Sequence, residues 1–200
     1  MYKFLAFLLI IIIAPIIGGL YGIIHDQFTY TLSHEYFTKF KFYQFELMET
    51  GNEAIFPNPR LQVAIIGWRA TWWMGIPIGL ILGFEGFGNI DAKSMLKITI
   101  KSLFLNVLVV FIIGLIGLAY GYLVLSKQPL SYFESWYIPT NVNNPRTFIN
   151  VSAMHNFSYI GGILGLIVAI TYSTILRRKS IKEYQQAKRI SQNNDIILDK

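Results

Sequence analysis

Residues 4–24 read FLAFLLIIIIAPIIGGLYGII, twenty-one residues without a charge. A helix needs about 20 apolar residues to cross the hydrocarbon core of a bilayer. Met1–Lys3 followed by Phe4–Ile13 has the look of a signal peptide. The run continues to Ile24, however, beyond the usual length of such a core and without a small-x-small cleavage site, so it reads as an uncleaved first span. Three further runs qualify, 61–84, 103–125 and 157–176, and among the four only the second holds a charge well inside it, Arg69. Charged residues make up 14% of the 200-residue chain and hydrophobic ones 54%, against roughly 25% charged in soluble domains. The expected fold is all-α: one polytopic membrane four-helix bundle, residues 1–200, with 177–200 as a basic tail.

The chain has no cysteine. That excludes disulfides, thiolate nucleophiles, iron–sulfur clusters and covalent c-type haem. Orientation follows from lysine and arginine in the short flanks. The amino terminus, the 85–102 connection and the tail carry eleven, and the connections 25–60 and 126–156 carry five. Both termini are expected on the cytoplasmic side of a cell membrane, with the two long connections outside. The net charge of +6 is then mostly a topological signal, and nucleic acid is not an expected partner. The basic tail is read as a positive-inside anchor, compatible with anionic headgroups.

Each span carries a small-xxx-small set: Gly18/Gly22, Gly75/Gly79/Gly83, Gly117/Gly121 and Gly161/Gly165. Such sets let helix backbones approach closely in lipid. Pro15 and Pro77 are expected to kink their spans. A weak repeat aligns GIPIGLI at 75–81 with GGILGLI at 161–167, which sets Arg69 opposite His155 and suggests two helical hairpins of one orientation. GFEGFG at 83–88 lacks the lysine and strand of a phosphate loop and reads as a flexible turn.

The first outer connection places His25, Asp26, His34 and Glu35 among aromatic residues. Ser33 is expected to cap a short amphipathic helix with Glu35 in its first turn and Tyr36, Phe37, Phe40, Tyr43 and Leu47 on its apolar stripe. Lys39 and Lys41 fall away from that stripe, and the helix is expected to lie at the interface as an aromatic, partly amphipathic cap. Asn58, between Pro57 and Pro59, marks a turn. In the second connection Tyr132, Phe133, Trp136 and Tyr137 suit the headgroup region. Asn150-Val-Ser152 and Asn156-Phe-Ser158 match the glycosylation pattern, which has no consequence in a bacterial protein. The isoleucine, lysine, asparagine and aromatic bias favours a bacterial source, and hence an inner membrane.

HDQFTYTLSHEYFTKFKFYQF at 25–45 and MHNFSYIGG at 154–162 resemble the signature of a family of small bacterial integral membrane proteins. The resemblance implies a four-helix membrane unit and carries no activity. His34 stands where that pattern leads one to expect proline, which makes it the least functional of the three histidines.

His25 and Asp26 leave the first span where His155 and Asn156 begin the fourth. Arg69 lies about 12 Å inside the second helix at a rise of 1.5 Å per residue, and Glu35 or Glu46 is a candidate counter-charge. The ligand-binding or bracing candidates are therefore His25, Asp26, Glu35, Glu46, Arg69, His155 and Asn156. Several readings follow. The groups brace the cap to the bundle, Asp26 pairing with Arg69, in an accessory or assembly component beside a membrane-protein partner or a second copy of the chain. Alternatively, His25, His155 and Asp26 or a nearby glutamate bind a divalent metal in a membrane enzyme. The remaining readings are a b-type haem between the histidines, acid–base catalysis without metal with Arg69 holding a phosphate, and transport with Arg69 selecting anions in a dimer.

Overall fold

A computed structural model describes residues 1–47 and 53–198, with side chains to residue 193. The described residues are mostly helical and include no strand, and four helical stretches are long and apolar enough to cross a membrane: Tyr2–Leu32, Pro59–Gly86, Ala92–Lys127 and Pro145–Asn193. The first is α1 (Tyr2–Leu32). Next come two short turns, α2 (His34–Tyr36) and α3 (Phe42–Gln44), joined through a π-helical stretch, Phe37–Lys41. The second candidate span is α4 (Pro59–Thr71) and α5 (Gly75–Gly86), and the third and fourth are α6 (Ala92–Leu123) and α7 (Pro145–Leu198).

Local chemistry sets several of these boundaries. Asn58 caps α4 by accepting from the Leu61 N–H at 3.3 Å, with Pro59 in the first turn. Asp91 caps α6 in the same way, accepting from Ser94 at 2.7 Å. The second span is broken by a 3-10 turn at Trp72–Met74. Pro77 has no N–H to offer the Trp73 carbonyl one turn back, so the helix tightens just ahead of it. Pro15, by contrast, lies within an uninterrupted α1.

The helices pair as two hairpins: α1 runs along α4 and α5, and α6 runs along α7, with α1 also touching α6. Glycines make the crossings close. A Cβ on Gly22 would strike the Gly67 carbonyl and the Thr71 hydroxyl, and one on Gly67 would strike the Gly22 carbonyl. The Thr71 hydroxyl lies 2.8 Å from the Gly18 carbonyl across the same crossing. Large apolar side chains cover the outside of the bundle, among them Leu9, Ile12, Leu20, Phe104, Leu108 and Ile163. Contiguous apolar surface of this kind is foreign to a water-soluble monomer and suits lipid.

Three expectations are corrected. The fourth helix begins at Pro145, so much of the second connection's end is helical, and it continues without a break into the basic tail. Asn150 is consequently buried within α7. The turn expected at 83–88 is shorter: Gly83 and Gly86 belong to α5 and the turn begins at Phe87, while Glu85 beside it accepts hydrogen bonds from Ser173 and Thr174 and pairs with Arg177 at 2.9 Å. Finally, Lys39 and Lys41 are buried. The π-helical widening shifts the register of the 37–41 stretch, so both lysines face protein while Tyr36, Phe37 and Phe42 pack with Tyr30, Phe148 and Val151.

Candidate functional site

At the end of the bundle under residues 34–47, α1 contributes His25 and Asp26, α7 contributes His155 and Ser158, and the π-helical stretch contributes Lys41. All five are buried. Asp26 Oδ1 is the hub, with His25 Nδ1 at 3.1 Å and His155 Nε2 at 3.2 Å. The outer nitrogen of each ring is also held: Ser158 Oγ lies 3.2 Å from His25 Nε2, and His155 Nδ1 lies 2.9 Å from the Val151 carbonyl. Asp26 Oδ2 makes no hydrogen bond among the described residues, and Lys41 Nζ stands 4.0 Å from it. The imidazoles meet edge to face with centroids 4.7 Å apart, and Tyr36 lies 4.8 Å from His155.

The hydrogen positions follow from the partners. A carbonyl only accepts, so His155 Nδ1 carries the hydrogen. The Nε2 of a neutral His155 is then a lone pair, and it faces the carboxylate oxygen of Asp26. Two acceptors at 3.2 Å repel each other unless a cation lies between them, either a proton, carried by the ring or by the carboxyl, or a metal ion. His25 has no such conflict, since the Ser158 hydroxyl can donate or accept: Nδ1–H donates to Asp26 while Nε2 accepts from Ser158. A His25 that ligated through Nδ1 would instead carry its hydrogen on Nε2 and donate to Ser158.

The same atoms fit a metal. His25, Asp26 and His155 each offer a ligand atom, all within 4.8 Å of one another. Zinc held tetrahedrally at about 2.0–2.1 Å spaces its ligands about 3.3 Å apart, close to the 3.1 and 3.2 Å from Asp26 Oδ1 to the two histidines. Anchoring of the distal ring nitrogen to a carbonyl or hydroxyl is also the usual support for a ligating histidine. Lys41 works the other way, adding positive charge beside Asp26. Burial pushes its ammonium below the ordinary lysine value, with Asp26 opposing.

The other candidates lie elsewhere. Arg69 is exposed on α4, donates to the Phe45 carbonyl at 3.0 Å and stacks over the Phe45 ring. Among the described residues it has no carboxylate partner, so its expected pairing with Asp26, Glu35 or Glu46 is not formed. The two residues that the repeat aligns differ in setting, Arg69 being exposed and His155 buried. Glu46 is exposed at a left-handed turn with φ 56°, and Asn156 is exposed because it points away from the α7 face that carries His155. His34 is exposed and rests edge to face on Tyr30.

Glu35 braces a different junction. It accepts from the Asn143 N–H at 2.9 Å, from the Asn144 N–H at 2.7 Å and from Lys39. Burial opposes its charge, but these donors outweigh burial and hold the carboxyl below its ordinary value. Ser33 stands at the break between α1 and α2, yet its buried hydroxyl makes no capping bond.

Sequence reading missed Ser158 and Lys41. Ser158 follows His155 by three residues, a spacing that shares a helix face, and that signal was available. Lys41 depends on the π-helical register and carried no such signal. Compared with models of protein families, with curated proteins and with solved structures, the chain matches none.

Proposed function

We propose that this is a multi-pass membrane protein whose cap-end cluster is a divalent-metal centre, with His25 Nδ1, Asp26 and His155 Nε2 as ligands, and that the protein is a metal-dependent membrane enzyme. The observation that carries this reading is the contact of His155 Nε2 with Asp26 Oδ1 at 3.2 Å while the other ring nitrogen donates to Val151. A cation belongs between them. The convergence of His25 on the same oxygen, which brings three ligand atoms within 4.8 Å of one another, favours a metal ion over a proton. Three protein ligands leave a coordination position open, as catalytic rather than structural sites do. A divalent ion there would lower the pKa of a bound water and polarise a carbonyl or phosphoryl oxygen.

Cobalt(II) titration of chelator-treated protein tests the reading. Visible ligand-field bands saturating at one equivalent are expected, and they should vanish in His155→Gln. Absence of such bands from folded parent protein would contradict it.

Lys41 supports a second reading. If the bridging cation is a proton, Asp26, His155 and Lys41 form a charge brace that locks the cap to α1 and α7. The protein is then an accessory or assembly component that packs beside a membrane partner. Topology with both termini cytoplasmic in a bacterial inner membrane belongs to either reading and rests on the distribution of lysine and arginine.

A further inference from the structure

The open side of the cluster faces a cavity of about 80 Å³, several times the roughly 10–15 Å³ that one water requires by the same measure. From Asp26 and His155 it runs away from the cap among Ile17, Ile78, Leu103 and Val107, so that it is polar at one end and apolar along its length. Its wall opens between the second and fourth candidate spans. Ala70 and Met74 stand on one side, and Tyr159 and Gly162 on the other. Tyr159 is 53% exposed on the lipid-facing surface, the one exposed residue of the lining. A Cβ on Gly162 would meet only the Met74 methyl group, at 3.9 Å, so nothing packs tightly across the gap. The approach through the cap is closed: Tyr36, Phe37 and Phe42 are buried there, and Lys41 fills the space beside Asp26.

A polar cluster sealed from water by aromatic rings but open sideways to lipid is placed to meet a molecule dissolved in the membrane. We infer that the crevice between the second and fourth spans is a lateral port for a phospholipid, the first few methylenes of whose acyl chain lie in the apolar cavity and whose phosphate-bearing head reaches Lys41 and the histidine–aspartate cluster. The charge fits: Lys41 and the cation bridging His155 to Asp26 outweigh one carboxylate. The inference deepens the metal reading by naming the substrate class, and it depends on that reading only for the chemistry that follows binding.

Photolabelling tests it. The full chain is reconstituted in vesicles of phosphatidylethanolamine and phosphatidylglycerol containing a small share of phosphatidylglycerol with a diazirine on its acyl chain. After irradiation, adducts are mapped by peptide mass spectrometry. Adducts on Met74, Ile78 or Val107 are expected. In Gly162→Phe, which fills the gap, they should fall about tenfold, the change that a loss of about 1.4 kcal/mol brings. Gly162→Ala, whose methyl fits without a clash, should label like the parent and controls for folding. Adducts confined to outward residues such as Leu9 and Ile163 would overturn the inference. So would cavity labelling just as strong from a diazirine fatty alcohol, which lacks the phosphate. Metal content measured on the same samples separates the two readings. Cavity adducts in a metal-free protein keep the lipid site and discard the metal, whereas bound metal without cavity adducts discards the port alone.

Discussion

Two knots of charge lie at opposite ends of the same bundle, and they are built differently. At the tail end, Glu85 receives Ser173 and Thr174 hydroxyls and the Arg177 guanidinium, so both carboxylate oxygens are engaged. The Lys3 ammonium closes the neighbouring turn by donating to the Phe87 and Asn89 carbonyls. The hub carboxylate is therefore fully engaged, although the neighbouring buried Asn89 Oδ1 and Thr99 Oγ1 make no hydrogen bond among the described residues. At the cap end, Asp26 offers one oxygen to two histidines, leaves the other without a hydrogen bond, and faces a cavity. Buried polar groups are normally satisfied within a fold. The tail-end hub carboxylate is fully engaged, whereas the hub carboxylate at the other end keeps one oxygen without a hydrogen bond beside a cavity, the difference on which the proposed metal centre rests.

The contrast is sharpest under substitution at the two hubs. Asp26→Ala removes the partner of buried Lys41 and is expected to cost about 3–5 kcal/mol, read as a lowered melting temperature in detergent, together with all bound metal. Glu85→Ala is expected to cost about 3 kcal/mol by stranding its donors while leaving metal content unchanged. Loss of metal from Glu85→Ala would erase the distinction between the two ends.

Lys41→Met asks which cation bridges the cluster. Replacing the ammonium by an apolar chain of similar size removes positive charge beside Asp26, so metal should bind at least as tightly as in the parent. A charge brace would instead lose about 3–5 kcal/mol, because Asp26 then lacks its ion-pair partner.

Glu35→Gln is expected to cost about 2 kcal/mol at neutral pH, from weaker bonds to Asn143, Asn144 and Lys39. The folded carboxyl titrates below its ordinary value, so this contribution is fully present above the unfolded pKa and fades as pH falls through the folded one. The gap in melting temperature between parent and variant should therefore close in acid. A gap that widened in acid would contradict the assignment. The smallest effect belongs to Arg69→Ala, below about 1 kcal/mol, since an exposed cation over one aromatic ring contributes little. A loss as large as that of Asp26→Ala would restore Arg69 to the cluster.

Much of the framework was legible in the sequence because the physics is cumulative. Twenty apolar residues in a row specify a candidate span whatever the neighbours do, and glycine sets mark where helices touch. His25, Asp26 and His155 could be brought together because they lie at span ends that topology places side by side. Arg69 misled because depth along a helix says nothing about which face a residue occupies. Lys41 was hidden for a similar reason: a π-helical stretch changes which residues share a face, and the regular spacing of EYFTKFKF turned it outward. The cavity was not legible either, since Met74 and Gly162, which share its lining, lie far apart in the chain.

The most direct test of the central claim is the metal content of tag-free protein purified in mild detergent without chelator. About one divalent ion per chain is expected, falling to background in a His25→Ala, His155→Ala double variant that stays monodisperse. Folded parent protein free of metal, and unable to take up zinc or cobalt, would contradict the account and leave a proton as the bridge between His155 and Asp26.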